Sequence, residues 1–198
     1  MSSVARPSRA LFDRWAQFAE SRAAAPVLFA WAVAEATVWP ILPDALLAPL
    51  MLARRTRRLW LVAACVAGMT LGGILTVLVA HWAPGFAPDL LRDLPLMTEE
   101  QIRGAADGVR EHGAAGFLIQ PVSGIPFKAW ATAAGVQGLS PVLVIPAFIV
   151  ARGLRMAATA LLFGAIARLL GPRLRDWFAV VAVLYAAGFA FVFARIVL

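Results

Sequence analysis

Five charged side chains stand inside otherwise apolar runs, and their types suit the chemistry of a phosphate. Lys128, the single lysine of a chain whose other seventeen basic residues are arginine, lies in "GFLIQPVSGIPFKAWATAAGVQGL", residues 116–139. Arg152 and Arg155 follow in "ARGLRMAATALLFG", three residues apart and therefore on one face of a helix. Arginine grips phosphate oxygens as a bidentate fork and lysine as a point charge, so the three together predict a cationic phosphate pocket. Glu35 and Asp44, in "EATVWPILPDALL", supply the acids. Apolar surroundings favour the neutral form of a carboxyl and a neighbouring arginine favours the charged one, so a protonation change on Glu35 can switch its carboxylate in or out of competition with an anionic ligand for the same cations. Static roles compete with this reading: Glu35 as the fixed ion-pair partner of Arg152 or Lys128, and Asp44, directly after Pro43, as a helix cap.

The elements that must position these residues are broken. Pro40 and Pro43 interrupt the apolar run 23–52, and Pro121, Gly124 and Pro126 interrupt 116–139. Broken backbone at membrane depth must be buried in protein or line a watery cavity, which predicts two re-entrant hairpins, at about 26–53 and 114–139. Each is followed by an uninterrupted apolar stretch, 59–83 and 141–167, long enough to span a bilayer. Arg152 stands roughly 16 Å along the second of these, near mid-bilayer depth. The order of hairpin then span, occurring twice with the hairpins opening to opposite sides, is the pattern of an inverted-topology repeat. Around this membrane domain, 26–167, residues 1–25 carry an amphipathic helix predicted at the interface or packed on the bundle, and 168–198 a turn and a last span. The polar stretch 84–113 predicts a surface helix that starts at Thr98 and closes at Gly113. Gly68, Gly72 and Gly73 form a small-residue face for close approach of a helix, from the same chain or a second copy in a homo-oligomer.

Composition sets the class. The chain has 198 residues, 62% hydrophobic and 15% charged, with mean hydropathy +0.80. This is the composition of an integral membrane protein, all-α by its patterning. The formal charge of +7 comes from arginine blocks beside apolar runs, which fits membrane topology and argues against nucleic-acid binding. Eleven arginines fall on one predicted side, in the N-terminal region, in "RRTRR" at 54–58 and in the turn at 168–175, against three in the loop 84–113. The positive-inside rule then places the N-terminus in the cytoplasm. No signal peptide is expected, because the first apolar run begins after Arg22 and is too long for one. Cys65 alone excludes an internal disulfide. Glu111 and His112 are helix neighbours that point apart and predict no metal site. No cofactor is expected, and neither a nucleotide loop nor a nucleophile–base pair argues for an enzyme.

On the three motifs quoted, the chain resembles the DedA superfamily of membrane proteins, also called the SNARE-associated or VTT-domain family, most closely its YqaA-like branch. The resemblance covers about 26–167. It implies an inverted pair of re-entrant hairpins in the plasma (inner) membrane, and movement of phosphate-bearing lipids between leaflets as a flippase or scramblase, with protons as the coupling ion in some members. Family acids match Glu35 and Asp44. Of the family's basic pattern around the second-hairpin proline, Lys128 takes the later position and no arginine takes the earlier one, which leaves Arg152 and Arg155 to compensate. A proton-coupled transporter of a small ion or solute and a non-transporting membrane-homeostasis factor are the alternatives.

Overall fold

The structure, a computed structural model, describes residues 2–53, 58–95 and 97–197. Arg54, Arg55 and Arg57 of the basic block lie outside the described residues. The described residues are helical throughout, joined by turns, with no strand among them. The helices are α1 (Ser2–Glu20), α2 (Ala24–Thr37), α3 (Asp44–Ala53), α4 (Arg58–Trp82), α5 (Phe86–Asp93), α6 (Glu99–His112), α7 (Gly116–Ile119), α8 (Phe127–Val136), α9 (Pro141–Leu170) and α10 (Leu174–Val197). Two helical stretches are long and apolar enough to cross a membrane, Arg58–Trp82 and Pro141–Gly188, the second bending at Gly171, where φ is +52°.

The first predicted break is present. Helix α2 ends at Thr37 and α3 begins at Asp44, because a residue before proline is pushed out of helical geometry and both Trp39 and Leu42 precede one. Trp31 Nε1 donates to the Ile41 carbonyl at 3.0 Å and ties the break to α2. The two limbs then part company: α2 lies along α4, and α3 packs on α9 and α1. Small residues decide the first contact. A Cβ on Gly68 would meet the Phe29 carbonyl oxygen at 2.4 Å, and one on Gly72 would meet Ala36 Cβ at 2.7 Å. The glycine face therefore serves a contact within the chain.

The second predicted break is also present, and its two limbs are unequal. Its first limb is one helical turn, α7, between 3-10 turns at Gly113–Ala115 and Gln120–Val122. Gly113, with φ +57°, and Pro121 bracket this stretch too closely for a regular helix to extend. The break itself is held by Gln120 Nε2 donating to the Ile125 carbonyl at 2.7 Å, and it turns at Gly124, where φ is +72°. Helix α8 is buried from Phe127 to Gly135, with α4 on one side and α6 on another. Helix α6 does start on the predicted cap: Gln101 N–H donates to Thr98 Oγ1 at 3.2 Å and Thr98 N–H to Gln101 Oε1 at 3.1 Å. It is more than a surface helix, since Gly108 leaves room for the Trp130 ring, 2.3 Å from where its Cβ would stand. Arg92 ties α5 to α6 through Glu99 at 2.8 Å, a hydrogen bond that, with the carboxylate's charge, holds the guanidinium above its ordinary value.

Helix α1 lies within the predicted 1–25, and its apolar face is packed. Phe12 meets Phe178 of α10 edge-on with centroids 5.4 Å apart, and Arg175 pairs with Asp13 at 2.6 Å. Ser8, fully buried, donates to the Arg175 carbonyl and accepts from Ala179 N–H. Helix α1 thus packs on the bundle, chiefly on α10.

The contacts follow a pattern of exchange. The first limb of each break packs on the long helix of its own half, α2 on α4 and α7 on α9, and the second limb packs on the long helix of the other half, α8 on α4 and α3 on α9.

Candidate anion site

The breaks and the middle of α9 bring the five predicted charges into one region. Arg152 is central. It is fully buried, its Cζ lies 3.9 Å from the centroid of the Phe127 ring, and its Nε, Nη1 and Nη2 all lack a hydrogen-bond partner. A guanidinium out of water without acceptors is costly, because the aromatic face supplies about 2 kcal/mol at best against several kcal/mol of lost hydration. Glu35 reaches toward the same interior from α2 at 3% exposure, with Oε2 also unpartnered. The two charges attract, yet among the described residues no ion pair within 4.0 Å joins Glu35 to Arg152 or to Lys128. The static ion pair considered for Glu35 is therefore absent from the structure.

Lys128, 5% exposed in the first turn of α8, donates from Nζ to the Trp39 carbonyl at 2.8 Å. That carbonyl lies just past the end of α2, where unsatisfied carbonyls and the helix dipole favour a cation. Lys128 thus joins the two breaks to each other. An ammonium has three donors, so Nζ retains hydrogens for a further acceptor.

Asp44 does not cap α3 through its side chain. Its Oδ2 accepts from Arg155 Nη2 at 2.6 Å and its Oδ1 from Thr159 Oγ1 at 2.8 Å. Arg155, predicted as a phosphate ligand, is thereby engaged, with its side chain 25% exposed. Pro40 and Pro43 shape the break that carries Trp39 and Asp44, and Pro121, Gly124 and Pro126 shape the one that delivers Phe127 and Lys128. Three residues of this region escaped the sequence reading. Thr159 lies four residues after Arg155, on the same helix face, and Phe127 adjoins Lys128; those were the available signals. The Trp39 carbonyl is a backbone group that its side chain does not announce.

Three cations meet two carboxylates in a region largely closed to water, which leaves one positive charge in excess. Such a region can accept an anion. Among the described residues no group of three or more His, Cys, Asp or Glu side chains could hold a metal ion. Comparison with protein-family models, curated proteins and solved structures finds no match to this chain.

Proposed function

We propose that this is a membrane protein of the DedA kind that moves a phosphate-bearing lipid, a polyprenyl phosphate or a phospholipid, between the leaflets of the inner membrane. In this reading α4, α9 and α10 cross the bilayer and the N-terminus is cytoplasmic. The two broken hairpins are re-entrant, and the halves form an inverted repeat whose limb exchange brings both breaks to mid-depth. The observation that carries the reading is Arg152, a fully buried guanidinium with three unpartnered nitrogens in a region of net positive charge. A phosphate headgroup offers the acceptors that the protein does not. Lys128 adds a second contact, and the Glu35 carboxylate competes with the anion for the same cations. Arg155 is a positioning residue, held by Asp44 and Thr159.

The test is leaflet-to-leaflet movement of labelled lipids, polyprenyl phosphate included, in proteoliposomes with and without a proton gradient. Hydrogen bonds to a charged group are worth about 1.5–3 kcal/mol, so Arg152→Gln lowers the rate by about tenfold or more, and Lys128→Ala by a similar factor. Equal rates in folded variants, or no movement of any lipid by the wild type, would overturn the proposal.

A further inference from the structure

A groove of about 630 Å³ runs between the start of α2 and the first turns of α4, well separated from Arg152 along the chain. Its volume falls within the range of roughly 300–1,000 Å³ typical of small-ligand sites. Its walls are mainly apolar, with Ala25 and Phe29 on one side and Trp60, Ala64 and Ala67 on the other, and Arg22 at one end. The groove has a direction. Trp60 stands in the first turn of α4, while Phe29 is level with Gly68, whose Cβ would touch the Phe29 carbonyl. From Trp60 to Ala67 is about 10 Å at 1.5 Å per residue. The charged end therefore coincides with the end of α4, and the apolar floor runs inward from it.

Two observations identify the occupant. Arg22 is exposed and makes no hydrogen bond or ion pair with any described residue, so its fork is available to an external anion. Trp60, 65% exposed beside it, is the residue type that settles at the level of lipid headgroups. A cation at headgroup level above a narrow apolar channel is complementary to a molecule with an anionic head and a hydrocarbon tail.

We infer that this groove is a binding site for an anionic phospholipid, with its phosphate on Arg22 and one acyl chain lying between α2 and α4 over Ala64 and Ala67. The assignment rests on the membrane reading above and is independent of any movement of lipid past Arg152. It places a resident lipid against the helix pair whose contact depends on Gly68 and Gly72.

The full chain is purified in mild detergent with equal amounts of phosphatidylglycerol and phosphatidylcholine, and retained lipid is read by native mass spectrometry. The wild type retains phosphatidylglycerol in preference. Arg22→Gln, an exposed substitution, lowers its occupancy by about tenfold and lowers phosphatidylcholine, whose phosphate charge is balanced by its own choline cation, by a smaller factor, as loss of a charge-assisted contact requires. Ala67→Phe fills the channel and lowers both lipids. Equal retention of phosphatidylglycerol by wild type and both variants, or none by the wild type, overturns the assignment. Flotation with vesicles of the same two lipids separates the failures: a chain that floats but retains lipid indifferently has lost only the groove, and one that does not float has lost the membrane reading as well.

Discussion

Asp44 receives two donors from one turn of α9, and this arrangement makes its region sensitive to single substitutions. Removing one partner of a buried ion pair leaves the other charge uncompensated and costs about 3–5 kcal/mol, whereas removing both releases much of that penalty. Asp44→Asn and Arg155→Met should each lower the detergent-solubilised unfolding midpoint, and the double variant should be less destabilised than the sum by about 1–3 kcal/mol. Lys128→Ala should lower the midpoint as well as any transport rate, since Trp39 loses its donor. The five charges were legible because each stands out in an apolar run. Their partners were not, because a backbone carbonyl at Trp39, an aromatic face at Phe127 and a hydroxyl at Thr159 look ordinary in such runs, and only the fold brings them to the charges.

The helices differ in how much of them the sequence disclosed. Breaks at proline, the long apolar helices and the Thr98 cap follow from local stereochemistry and were predicted to within a few residues. The failure of 114–122 to form a limb like α2 was not, because apolarity there signals burial under α6 and against α9 as readily as a membrane-depth helix. Glycine roles also separate only in three dimensions. Gly68→Ala should destabilise by about 1–3 kcal/mol, because its Cβ meets backbone at 2.4 Å, while Gly153→Ala, with nothing within 4 Å, should be neutral or gain about 0.5–1 kcal/mol of helix propensity. Thermal unfolding of both variants checks the contrast. Thr98→Ala should cost about 1 kcal/mol, read as faster amide exchange in the first turn of α6.

At the scale of the whole molecule, neither half of the chain is self-sufficient, since each lends its second limb to the other half's long helix. A chain cut between α5 and α6 should therefore assemble when both pieces are co-expressed, and each piece alone should be lost to aggregation or proteolysis; co-purification through a tag on one piece is the measure. The exchange also divides the protein along a line that the sequence halves do not follow. Helix α4 carries α2 and α8, and α9 carries α3 and α7. Lys128 to Trp39 is a bond inside the first group, and Asp44 to Arg155 and Thr159 are bonds inside the second. Arg152 faces Glu35 and Phe127 across the division. Relative sliding of the two groups would leave both clasps closed while changing what Arg152 faces, together with the α4–α9 packing and the Phe127–Phe148 ring contact that cross the same boundary.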